Sequence, residues 1–186
     1  RYRRIPYSVH WGQPDAVCDA MGVEKPRPIF MPTFFFEGDA GITAECDSTP
    51  IIRRLEAMYS GRSVLPEDPA LAFIDYLIED FADEWCTKYM FHYRWHFGDD
   101  ADNAGTLLPL GMNVSMPHEI FEPYKQHITE RQISRLYVVG SNDTTAPVID
   151  ASYRRFLAAM EAHLGNQKFM LGSRPGAGDF GLHGQL

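Results

Sequence analysis

One change of rhythm constrains this chain more than any other feature. From Asp68-Pro69 onward, Leu71, Ile74, Leu77, Ile78, Phe81, Trp85, Tyr89 and Met90 recur at helical spacing. Asp75, Glu79, Asp80, Asp83 and Glu84 fall on the opposite side. A stripe of period 3.6 this long predicts an amphipathic helix reaching about Phe97, its acids toward water. Nothing upstream has that rhythm. The first sixty residues hold short β-rich runs of period 2, punctuated by Pro and Gly. The chain therefore divides into a mixed α/β region over 1–61, a linker over 62–66 and an all-helical region over 67–186.

Local signals place the elements. Ile5–Trp11 alternates and predicts a strand, and Gln13–Met21 a short helix stopped by Gly22. Arg27–Phe36 predicts a second strand, interrupted by Pro28 and Pro32. Glu37–Gly41 is a turn, after which Ile42–Cys46 pairs back as a third strand. Ser48 is placed to cap a helix with Pro50 in its first turn, and Gly61 ends it. Beyond the long helix, Gly98–Gly111 has the composition of a loop. Helical patterns resume over 117–139, with Pro123 as a break. Thr145 caps a helix carrying Val148, Ile149, Phe156, Leu157, Met160 and Leu164, and Gly165 stops it. Phe169–Gly172 is a short apolar crossing, and the stretch from Pro175 to Asp179 opens a last helix.

Charge and cysteine content narrow the function. Residues 66–100 hold nine acids against Lys88 and Arg94, nearly all of the net charge of -8. That balance opposes a nucleic-acid groove, which needs a basic face. No apolar run approaches the roughly 20 residues of a membrane span. Cys18, Cys46 and Cys86 are odd in number and far apart, which fits the cytoplasm or another reducing compartment better than a disulfide framework. The chain opens on Arg1 with no secretory leader pattern, and we expect a piece of a longer protein in which an upstream targeting segment remains open.

Three local sequences carry a resemblance. Met31-Pro32-Thr33-Phe34 precedes the hairpin, about 15 residues later Asp47-Ser48 sits just before a helix, and Phe169-Met170-Leu171-Gly172-Ser173-Arg174-Pro175 runs into Gly178-Asp179-Phe180-Gly181-Leu182. Together they resemble the glutathione transferase superfamily over nearly the whole chain, most of all bacterial-type glutathione-transferase-like proteins. The resemblance implies a thioredoxin-like domain truncated before its second strand, followed by the family's helical domain. It implies a cis peptide before Pro32 that turns the backbone of Met31 toward glutathione. Ser48, at a helix N-terminus, then meets the γ-glutamyl carboxylate, which a helix end favours. Asp47 stands where Glu or Gln is common and faces the ligand's amine with a shorter reach. Asp179 is structural: it belongs to a capping box in which the family's Ser or Thr is here Gly176, so the reciprocal bond is lost and the helix starts less firmly. The catalytic Tyr, Ser or Cys of the family belongs to its first strand and helix, and no residue of this chain takes that position.

The resemblance further implies that Tyr89, His92, Tyr93 and His96, crowded on the long helix, help to wall a co-substrate pocket. Interdomain packing is the plainer reading of those aromatics. His92 and His96 share a helical face, but a metal site needs a third ligand and no HExxH pattern exists, so no metal is expected. Two functions follow. The complete protein uses glutathione as substrate for thiol transfer or conjugation, or it is a non-catalytic structural or accessory subunit, as a homodimer or within a larger protein assembly.

Overall fold

The computed structural model describes residues 1–186, which form two compact units, Arg1–Pro66 and Glu67–Leu186. The fold is mixed: one small antiparallel sheet with helices in the first unit, helices in the second.

In the first unit, helix α1 (Pro14–Met21) starts on proline, whose missing N–H has no intrahelical partner at that position. It ends at Gly22, which takes the left-handed conformation at φ 66°. Strands β1 (Phe34–Gly38) and β2 (Gly41–Glu45) form a two-residue hairpin, paired from Phe34 with Glu45 to Gly38 with Gly41. Helix α2 (Ser48–Met58) follows, with Ile51 buried. Arg3 closes its far end. Its guanidinium donates to the carbonyls of Leu55, Tyr59 and Gly61 and pairs with Glu56 at 3.2 Å. Leu55 O also accepts from Tyr59 N–H at 3.1 Å, whereas the Tyr59 and Gly61 carbonyls lie past the helix, so the guanidinium takes the place of an αL cap.

Two strand expectations fail here. Ile5–Trp11 is irregular, with Trp11 91% exposed. Alternation stabilises a strand only beside a hydrogen-bonded neighbour, and the sheet contains β1 and β2 alone. The run from Arg27 becomes strand only at Phe34. Arg27–Pro28 and Met31–Pro32 are both cis peptides, and neither proline has an N–H to donate to a ladder.

In the second unit, Asp68 caps helix α3 (Pro69–Asp80) by accepting from the N–H groups of Ala70 and Leu71 at 2.9 and 3.0 Å. A π-helical stretch, Phe81–Cys86, carries the chain without interruption into α4 (Thr87–Trp95). The faces are not as the periodicity predicts. Asp75 is 1% exposed and Glu79 is buried, while Phe73 is 60% exposed and Leu77 and Trp85 also meet solvent.

Helix α5 (Gly98–Met112) replaces the expected loop, and its reason is tertiary. Ala101, Ala104 and Gly105 are buried, and a Cβ at Gly105 would collide with Thr129 of α6 (His118–Ile133). Residues that read as loop composition are the small side chains that admit a neighbouring helix, and packing overrides propensity. Lys125 ties α6 to Asp102 at 2.6 Å. Pro109 lies in the last turn of α5, and Pro123 lies inside α6 without breaking it. A 3₁₀ turn, Leu136–Val139, leads to a loop and then to α7 (Ala146–Leu164). Thr145 precedes α7 but does not cap it; its hydroxyl donates to Gly140 O at 2.6 Å.

Helix α8 (Ala177–Gln185) shows how the acids are used. Asp179 accepts from the N–H of Gly176 and of Met170, both at 2.9 Å. The bond that Gly176 cannot make is supplied from α3: the two oxygens of Asp75 accept from Ala177 N–H at 3.2 Å and Gly178 N–H at 3.1 Å. The start of α8 is thus held by two carboxylates, which corrects the expectation of a weakly started helix. Side chains at Gly176 or Gly178 would strike Asp75 or Ile78, so the close approach of α8 to α3 demands glycine there. Around this joint Ala82, Cys86, Tyr89 and Leu182 form a buried cluster, and Trp95, Ala101 and Ala104 form a second. No helix is long and apolar enough to cross a membrane.

Candidate functional site

The open end of the hairpin gathers the first four candidates. The register pairs Phe34 with Glu45. The ladder ends at that pair, so Pro32 and Asp47 each lie two residues beyond it in the chain, and Met31 and Ser48 three. The ladder stops before them, and a thiol contact spans the gap: Cys46 Sγ lies 3.1 Å from Pro28 O. The Met31–Pro32 peptide is cis. Met31 is 69% exposed, and its backbone N–H and C=O enter no hydrogen bond within the chain.

Asp47, not Ser48, is the N-cap of α2. Its carboxylate accepts from Thr49 N–H at 3.2 Å. Its backbone sits at φ 83°, ψ 123°, a region that side chains other than glycine's rarely occupy. The bend makes Ser48 the first helical residue, exposed, with a hydroxyl that bonds to no group of the chain. Helix α2 is anchored beneath the hairpin by Arg54, which pairs with Glu45 and stacks 3.9 Å from the centre of the Phe36 ring. The mouth therefore presents unpaired backbone groups on one lip and a helix N-terminus, a hydroxyl and a carboxylate on the other. Such a lip accepts an extended peptide as a strand does, and the helix end favours an anion.

The aromatic quartet of the second unit divides. Tyr89 and Tyr93 line a shallow cleft of about 480 Å³ with Arg94, Leu107, Leu108 and Tyr153. His92 and His96 do not line it. His92 is wholly buried, its Nδ1 2.7 Å from Ser141 Oγ, and His96 stacks on it at 4.6 Å. Tyr89 receives a bond from Trp85 Nε1 at 3.0 Å and shares one with Ser152 at 2.8 Å. Tyr93 donates to Asp150 at 2.5 Å, and burial with that bond pushes its hydroxyl up to about 12. It is a fixed donor and not a base at neutral pH.

Cys86 is buried, and burial pushes its thiol up to about 11, where it is neither nucleophile nor ligand. Cys18 is equally buried. No group of three or more metal-ligating side chains is assembled. Asp75, Ser141 and Asp150 were not singled out as site residues by sequence, since their partners lie far along the chain. No protein-family model, curated protein or solved structure matches this chain.

Proposed function

We propose that the first unit is a thioredoxin-like domain of glutathione-transferase type and binds glutathione across the mouth of its hairpin. The observation that carries this reading is the bent Asp47, which holds backbone strain in an exposed turn and leaves the Ser48 hydroxyl exposed and unbonded, just beyond the same end of the ladder as the unpaired backbone of Met31. Strain of this kind costs of order 1–3 kcal/mol and clusters at ligand sites. In the proposed complex the γ-glutamyl carboxylate takes the Ser48 hydroxyl and the α2 N-terminus. Its amine faces Asp47, and the cysteinyl amide pairs with Met31 beside Pro32. The ligand's thiol, with a pKa near 8.5 as for cysteine, needs a donor or positive field to ionise at neutral pH. None of these four residues supplies it, so this site accounts for binding, while thiol transfer or conjugation draws on an activating group elsewhere in the complete protein.

The experiment is calorimetric titration of the full-length protein with reduced glutathione, beside Ser48→Ala. Saturable heat that weakens by about 1–3 kcal/mol in the variant supports the site, since a donor to a charged group is lost. Equal affinity in both proteins places the γ-glutamyl end elsewhere, and no heat in either refutes glutathione binding. A second reading, a structural or accessory subunit, is favoured by the apolar face that α3 presents to solvent at Phe73, Tyr76 and Leu77. Sedimentation of the glutathione-silent protein as a dimer or larger assembly, lost in Phe73→Asp, supports that reading.

A further inference from the structure

We propose that His92 is an acid-sensitive latch that ties α4 to the Gly140–Asp143 loop and releases it on taking up a second proton. The ring is 0% exposed, and its one polar contact is the 2.7 Å bond between Nδ1 and Ser141 Oγ. Nε2 is buried with no partner. The neutral tautomer with Nδ1–H donated to Ser141 leaves only a bare lone pair unsatisfied. Protonation puts an N–H on Nε2 where no acceptor exists, and places charge against the stacked His96 ring, 4.6 Å away.

Ser141 is itself buried, and its N–H donates to Leu136 O at 3.0 Å. The loop behaves as one piece. Asn142 Oδ1 accepts from the N–H groups of Thr144 and Thr145, and Thr145 Oγ1 donates back to Gly140 O. Loosening Ser141 therefore frees the connection between the 3₁₀ turn and the first turn of α7.

Two titratable groups act on the ring. His96, on the same helix, opposes its charge, and Asp150 of α7 favours it. Asp150 is already engaged by Arg154 at 2.8 Å and Tyr93 at 2.5 Å. At the start of α5 the neighbour is the Phe97 ring, and the loop brings only a neutral hydroxyl. Burial first, then His96, holds the imidazole below its ordinary value near 6.5. Above 6.5 both folded and unfolded His92 are neutral. Below it the released state binds a proton that the latched state refuses, so latching weakens as pH falls from 6.5 to the folded value, by up to tenfold per unit.

The test uses the full chain. The His92 ring is followed by NMR from pH 7.5 to 4.5. Amide exchange over 136–145, corrected for its chemical rate, is compared with exchange at Ala177 and Gly178. The latch requires a His92 midpoint below 6.5 and loop protection that falls up to tenfold per unit within that window, ahead of the α8 amides. His96→Asn should raise the midpoint, and His92→Gln, which cannot be charged, should abolish the loop's pH dependence. A midpoint at or above 6.5, or an unaltered pH dependence in folded His92→Gln, overturns the proposal. Should His92→Gln not fold, the wild-type titration decides alone.

Discussion

Asp75→Ala tests the joint that organises the helical unit. The carboxylate is 1% exposed and accepts from two N–H groups at the first turn of α8. Removing it strands both donors where water does not reach, at about 1–3 kcal/mol each. The variant also loses an anion at a helix N-terminus, roughly 0.3–2 kcal/mol. Against this, burial raises the Asp75 pKa above the usual carboxylate range, so relief from holding a buried charge offsets part of the loss. The expected net destabilisation is about 2–4 kcal/mol. Gly176 makes the argument sharper. Gly176→Ser in the native background forces a side chain into the Asp75 carboxylate and should destabilise by about 1–3 kcal/mol. In Asp75→Ala that space is empty, and the new Ser can cap α8 by itself, recovering about 1 kcal/mol. The same substitution thus changes sign with its background, a coupling that a double-mutant cycle reads directly. The assay is urea unfolding of the four proteins at pH 7, followed by far-UV circular dichroism and the fluorescence of Trp85 and Trp95. Because the folded Asp75 pKa is raised, its ionisation subtracts stability as pH rises from 3.8 through the folded value, and Asp75→Ala should lose that slope. A cost below about 0.5 kcal/mol for Asp75→Ala, or additive effects of the two substitutions, would refute the carboxylate as the cap of α8.

Other perturbations separate local from tertiary causes. Asp47→Gly should stabilise the first unit by about 1 kcal/mol, since relief of the φ 83° strain exceeds the few tenths lost with the side-chain cap, while glutathione affinity falls; thermal unfolding and calorimetry measure the two. Ser48→Ala should leave stability within about 0.5 kcal/mol, because Asp47 holds the cap. Gly105→Ala should destabilise the second unit by roughly 1–3 kcal/mol through collision with Thr129, although alanine is the better helix former; a gain in urea midpoint would show that α5 has room there. Arg3→Ala should cost about 1.5–3 kcal/mol by removing the charged donor shared by the Leu55, Tyr59 and Gly61 carbonyls at the end of α2, with hydrogen exchange at Tyr59 as a local readout.

Elements whose causes are local were legible in the residues. The Asp68-Pro69 start of α3, the Gly22 stop of α1 and the turn between β1 and β2 each depend on a few neighbouring side chains, and those are written consecutively. The four hairpin residues of the candidate site were named from the resemblance alone; what the local sequence supplied was the hairpin and the helix start beside them, with the cap at Asp47 and not at Ser48. Tertiary structure decided the rest. Ile5–Trp11 has the alternation of a strand and lacks a neighbour to pair with. Gly98–Met112 has the composition of a loop and becomes a helix because small residues admit α6. The periodicity of the long helix marked an acidic face but could not aim it, and Asp75 turned inward because two N–H groups 102 and 103 residues away had no other acceptor. His92 left the expected pocket for the interior, where the Ser141 hydroxyl, 49 residues along, could bond one of its nitrogens. Periodicity and capping act over one or two turns of chain, whereas the identity of a buried polar partner depends on which distant groups are left unsatisfied once the elements pack.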